Sequence, residues 1–190
     1  MRALNAAGIG RQKPQTGVAL IEVAIAILVI AVGAIGLASM QLSAKRAGFE
    51  AVQRTFASGV AMDILERMRL NPGVLDSYES TVGGATLSTP GSTCLGASCT
   101  EAQLVAADLW AWEQALDGAA ETRGGASVGG LLNPTGCIDV DGRQVEVTIA
   151  WESYETLSDP DATNTCGQGN YGASDANRHL LVVNTYIVEL

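Results

Sequence analysis

Three different spacings of apolar residues follow one another along this chain. From Val18 to Met40 nearly every side chain is apolar; Glu22 is the only ionisable group and Ser39 the only other polar one. A run of that length makes about 35 Å of helix at roughly 1.5 Å per residue, enough to cross the hydrocarbon core of a bilayer. Gly33 and Gly36 lie inside it. Each weakens the helix by about 1 kcal/mol relative to Ala. With Ala31, Ala34 and Ala38 they also permit close helix–helix approach.

The second spacing is amphipathic. Phe49, Val52, Phe56, Val60, Ile64 and Met68 recur every three or four residues, flanked by Ala57, Ala61 and Leu65. Lys45, Arg46, Glu50, Gln53, Arg54, Asp63 and Arg69 take the opposite side. The pattern predicts that the helix continues to about Leu70 with one stripe buried against a soluble domain, and that Asn71-Pro72-Gly73 stops it. Residues 73–99 are rich in Gly, Ser and Thr and read as loop with at most a short strand. A second helix is predicted from Glu101 to Leu116. Thr100 and Gln103 supply a capping box, Val105, Leu109, Trp112 and Leu116 make its stripe, and Gly118 ends it. Gly124 to Pro134 reads as a flexible connection.

The third spacing is two. Val145, Val147, Ile149 and Trp151 alternate with Gln144, Glu146, Thr148 and Ala150. Cys137 to Val140 precedes Asp141-Gly142, a hairpin signal, and Leu180 to Val188 predicts another strand beyond a turn-rich loop from Ser153 to Asn177. The fold class is therefore α+β: a long N-terminal helix, membrane-spanning in its first half and amphipathic in its second, packed on a small antiparallel sheet.

Charge narrows the possible functions. The 190-residue chain carries a net charge of −9, and its first 17 residues hold Arg2, Arg11 and Lys13 but no acid, so the remainder is more acidic still. An acidic chain without a dense Lys/Arg cluster is a poor match for nucleic acid. Charged residues make up only 16% of the chain and glycine is frequent, a composition that suits an exported protein. Cys94, Cys99, Cys137 and Cys166 all lie beyond the apolar run. Local pairing, 94 with 99 and 137 with 166, is the simplest of three connectivities. A zinc site and a redox-active Cys94/Cys99 pair are the rivals, although Cys-x-x-Cys spacing is absent.

The basic leader ends in Gln15-Thr16-Gly17, so its small residue precedes the apolar stretch instead of following it as in an ordinary secretory signal. Cleavage after Gly17 would leave the apolar segment on the mature chain. Glu22 is then the sharpest clue, because a carboxylate costs roughly 2.5–3.5 kcal/mol at the centre of a bilayer and therefore calls for a partner.

Gly17 followed by Val18–Glu22 resembles the processing site of the type IV pilin superfamily, where Phe more often stands at the position of Val18. Within the superfamily the chain resembles the minor pilin family PilV. It shares Ala61, Asp63, Glu66, Arg67, Met68, Arg69, Asn71 and Pro72, and more loosely Cys94, Cys99, Asp108, Leu109 and Trp112. The resemblance implies a leader of residues 1–17, a transmembrane and assembly helix over 18–40, and a periplasmic pilin-like domain over 41–190. It implies cleavage between Gly17 and Val18 by a prepilin peptidase and N-methylation of Val18. Glu22 would neutralise the terminal amine of a neighbouring subunit. The implied partners are other minor and major pilins and the assembly platform of the bacterial inner membrane, with twitching motility an indirect outcome. No enzymatic activity and no cofactor are implied. A minor pseudopilin of a type II secretion system is the nearest alternative; a membrane-tethered periplasmic thiol oxidoreductase is an alternative of another class.

Other candidate residues read more simply. Asp159, Asp161 and Thr163 space oxygen ligands as a calcium loop would, but lack the glycine and glutamate of an EF-hand. His179 is the only histidine and has no nucleophile motif to serve. Trp110, Trp112 and Trp151 read as core or boundary residues, since the basic groove of a stacking platform is missing.

Overall fold

The computed structural model describes residues 20–96, 98–157 and 163–188. They fall into two compact units, one ending at Lys45 and the other beginning at Arg46. Helix α1, Leu20–Leu70, contributes to both. Within the first unit every described residue is exposed, as an apolar helix with no neighbours must be.

Within the second unit α1 buries Gln53, Ala57, Val60, Ala61, Ile64, Leu65 and Met68. This differs from the predicted stripe at its N-terminal end. Phe49, Val52 and Phe56 are 42, 66 and 37% exposed, whereas Gln53, read as a solvent-side residue, is buried. Small side chains explain the shift. Ala57 and Ala61 are fully buried and leave the helix backbone accessible, so the indole N–H of Trp112 donates to the Val60 carbonyl at 3.1 Å. The larger Phe49 is left to the flank, where its ring lies 5.9 Å from that of Tyr154.

The helix ends at Leu70, because Pro72 has no N–H to continue the ladder. A 3-10 segment, Pro72–Tyr78, leads into strand β1, Ser80–Val82. Helix α2 spans Glu101–Leu116 and begins with a complete capping box: Thr100 accepts from the Gln103 N–H while Gln103 accepts from the Thr100 N–H at 3.0 Å. The connection predicted to be flexible from Gly124 instead holds the second arm of a small hairpin. Strands β2, Thr122–Arg123, and β3, Ala126–Ser127, pair across Gly124-Gly125, which take the positive φ that a tight turn requires. Two-residue strands leave no alternation to read.

The main sheet adds β4, Thr135–Asp141, β5, Gln144–Glu152, and β6, Arg178–Tyr186. Its order is β1-β4-β5-β6, with every pair antiparallel. The β4–β5 loop is Gly142-Arg143, one residue later than the predicted turn, because Asp141 still pairs with Gln144. Gly142 takes φ 62°, as the first loop position of a type II′ turn does. Strand β6 begins and ends two residues earlier than predicted. Val145, Val147, Ile149 and Trp151 face the α1 row and the α2 stripe in one core. The crossing of α2 over β4 depends on Gly136: a Cβ there would lie 2.5 Å from the Trp112 ring and 2.7 Å from Leu116. On the other face of the sheet Ala150, Cys166 and Tyr171 form a smaller cluster against Cys137 and Leu180.

Candidate functional site

Glu22 sits in the first turn of α1, where a carboxylate complements the positive end of the helix dipole. It is exposed among exposed apolar neighbours, and among the described residues no side chain hydrogen-bonds to it or pairs with it. Gly17 and Val18 lie outside the described residues. A Cβ at Gly33 or Gly36 would meet nothing within 4 Å, so the space beside both glycines is open. The helix is long and apolar enough to cross a membrane, and none of its most apolar window is buried by the rest of the chain.

In the second unit the Ala61–Pro72 segment serves as a fastening. Ala61 and Met68 point into the core. Arg67 donates through Nε to Asp63 at 2.9 Å and through Nη1 to Asp108 of α2 at 3.1 Å. Tyr78 donates to the other oxygen of Asp108 at 2.8 Å. Burial pushes the Tyr78 hydroxyl well above its ordinary pKa, and the neighbouring Asp108 carboxylate pushes the same way. Burial opposes the Arg67 cation, but the hydrogen bonds to Asp63 and Asp108 outweigh it and raise its pKa. Arg69 pairs with Glu66 and reaches the Thr185 hydroxyl of β6 at 3.1 Å. One helical segment is thereby tied to α2, to the 3-10 segment and to the last strand.

The sequence reading did not single out Glu113. Its side chain is fully buried on α2. It accepts from the backbone N–H groups of Gly83, Thr86 and Leu87 at 3.0, 2.7 and 2.8 Å and from the Thr86 hydroxyl at 2.5 Å. Burial alone would raise its pKa; those donors reverse the sign and hold it below the ordinary carboxylate value. Asp117, one turn on, accepts from Gly84 and Ala85 at 2.9 and 2.7 Å. Together the two acids hold the loop that follows β1. The available signal was position: Glu113 and Asp108 both fall on the face marked by Val105, Leu109, Trp112 and Leu116.

The remaining candidate residues have definite places. Cys94 is bonded to Cys99 and Cys137 to Cys166, with Cα separations of 5.7 and 5.9 Å. The second bond fastens the loop after β5 to the sheet. Asp159 and Asp161 lie outside the described residues; among those described, no group of three or more His, Cys, Asp or Glu side chains is placed to hold a metal. His179 Nδ1 lies 3.4 Å from a Glu50 oxygen, and Nε2 lies 3.2 Å from the Glu155 carbonyl. Ser153 donates to the other Glu50 oxygen. The hydroxyl thus meets the carboxylate and not the imidazole, which is the wrong order for an activated nucleophile. Trp112 and Trp151 are buried in the core, and Trp110 is half-buried.

Residues 39–110 match the model of a family described as Tt1218-like, Type IV pilin Tt1218. No curated protein and no solved structure matches the chain. The matched stretch takes in the amphipathic half of α1, the Arg67 fastening and most of α2, and it supports the type IV pilin superfamily for this chain.

Proposed function

We propose that this protein is a minor type IV pilin of the PilV kind, a structural subunit and not a catalyst, that acts in pilus assembly and initiation. It is made with residues 1–17 as a leader, which a prepilin peptidase removes after Gly17, and Val18 becomes the N-methylated first residue. Residues 18–40 hold it in the inner membrane with residues 41–190 in the periplasm. The assembly platform then passes it to other minor and major pilins. It needs no cofactor and binds no nucleic acid.

The observation that carries this reading is Glu22. A lone carboxylate in an apolar, uncovered stretch of helix has no partner within the described chain. The new α-amino group of a neighbouring subunit supplies the missing cation, and each charge lowers the other's desolvation cost only when the helices are in register. The family match over residues 39–110 gives independent support to a pilus role.

Intact-mass measurement of protein recovered from sheared fibres tests the reading. A mass lacking residues 1–17, with one added methyl group, is expected; the mass of the uncut chain in fibres would refute it. Glu22→Val separates the two steps, since cleavage should persist while incorporation into fibres drops. Unchanged incorporation would remove the role given to the carboxylate.

A further inference from the structure

The cations of this chain are unevenly placed. From Lys45 onward there are eight, against 19 acids. Four of the eight are occupied. Arg67 pairs with Asp63 and Asp108, Arg69 pairs with Glu66, Arg143 donates to the Pro72 carbonyl, and the buried Arg178 donates to the carbonyls of Asn164 and Cys166. Lys45, Arg46, Arg54 and Arg123 are exposed, and among the described residues none of them has a partner. Three of these lie within ten residues of one helix, α1. The only acid in that stretch, Glu50, is half-buried and already accepts from Ser153.

An exposed aromatic pair lies in the same place. The rings of Phe49 and Tyr154 are 5.9 Å apart, and Tyr154 is 67% exposed. Free cations beside exposed aromatic rings suit the zone where a helix leaves a bilayer, since phosphates take the cations and amphipathic rings sit at headgroup level. Spacing along α1 agrees. Leu42 is the last large apolar residue before the cations. At roughly 1.5 Å per residue, Lys45 and Arg46 follow it by about 5 and 6 Å. Headgroups add about 5–7 Å on each side of the apolar core, so both cations fall within that layer. Phe49 comes about 10 Å after Leu42, and helical side chains lean back toward the N-terminus, which brings its ring down to the outer edge of the layer. Arg54, about 18 Å after Leu42, stands clear of it.

We propose that Lys45 and Arg46, with the Phe49–Tyr154 pair beside them, bind the headgroups of anionic phospholipid where α1 leaves the membrane. This collar rests on the membrane-inserted chain proposed above and adds a lipid partner to it. Charge decides the occupant. Each cation near an anionic surface strengthens binding by a factor of about five. Elsewhere acids outnumber cations, so such a surface attracts this stretch and repels the rest. A second copy in the same membrane would bring the same cations to the same level and be repelled.

Lipid retention by the full-length chain in detergent tests the collar. Native mass spectrometry with phosphatidylglycerol and phosphatidylcholine added equally should show the anionic lipid retained in preference. Lys45→Gln combined with Arg46→Gln should weaken phosphatidylglycerol retention about 25-fold, whereas Arg54→Gln should change it by less than about twofold. Equal retention of the two lipids, a double variant that binds like the parent, or as large a loss in Arg54→Gln would overturn the proposal. Fluorescence reads the aromatic pair. The described cysteines are all in disulfides, so Tyr154→Cys takes a single label. In nanodiscs containing phosphatidylglycerol, headgroup spin labels should quench it but not the same label at Thr122→Cys, in the β2–β3 hairpin. Equal response at the two positions, or shielding of position 154 only when another protein is present, would refute the collar. A label at Ala34→Cys separates the collar from the reading beneath it. Quenching there by spin labels deep in the acyl chains, without a preference for phosphatidylglycerol, sinks the collar alone; no quenching there sinks membrane insertion as well.

Discussion

Glu22 and Glu113 are both glutamates set into apolar helices, and the chain treats them in opposite ways. Glu113 is enclosed by four donors from residues 83–87. Glu22 is exposed on a helix whose most apolar window no described residue covers. The contrast separates two kinds of physics in one polypeptide. The unit from Arg46 onward satisfies its buried charges internally: Asp108 by Arg67 and Tyr78, Glu113 by a loop, Arg178 by carbonyls. The described part of the unit ending at Lys45 leaves its one carboxylate, Glu22, exposed and unpaired. Removing a satisfied group should therefore destabilise the second unit, whereas changing Glu22 should leave that unit untouched.

The largest expected effect comes from Cys137 and Cys166. Replacing both with Ser should lower the stability of the sheet unit by about 3.5 kcal/mol in the loop-entropy model, read as a fall in the chemical-denaturation midpoint of the full chain in detergent. A smaller loss would mean that the loop after β5 is held chiefly by Arg178 and Tyr171. Next is Glu113→Ala, expected to cost about 3 kcal/mol because four donors lose their acceptor. Acid should remove part of the same contribution in the native protein. Since the folded carboxyl is held below its ordinary value, its contribution is complete above that value of 4.5 and fades as pH falls through the lower folded one. Glu113→Gln should flatten that acid limb of the stability curve, and an unchanged limb would show that other carboxylates control it.

Gly136→Ala should cost about 2 kcal/mol, since the new methyl must displace the Trp112 ring. A matching red shift of tryptophan emission would show that the indole has moved. Glu22→Val completes the series with the smallest change: the denaturation midpoint of the second unit should not move. A clear shift would erase the distinction between the two glutamates.

Elements fixed by local chemistry were legible in the sequence. Helix α2 has the predicted bounds, Glu101–Leu116, because its capping box and Gly118 mark both ends within a few residues. The alternation over Val145–Trp151 identified the central strand in the same way. What escaped depends on distant partners. The burial phase of α1 could not be read from its own residues, because two adjacent apolar rows compete and the choice is made by how closely Trp112 approaches. The β2–β3 hairpin was too short to carry a period. Glu113 looks like any helix carboxylate until residues 83–87 fold over it, and Phe49 meets Tyr154 only once the loop after β5 returns to α1. Glu22 could be singled out as an anomaly, and among the described residues nothing pairs with it.

The core also sets an order of events in the life of the molecule. Ala57, Ala61, Ile64 and Met68 are synthesised early, yet β4, β5 and β6, the strands that roof them, are among the last segments to emerge. Until translation nears its end the nascent polypeptide carries a bare greasy ridge, and contacts of such wide separation close slowly. A transcript cut short before residue 178 would yield a fragment unable to hide that ridge, ready prey for quality-control proteases.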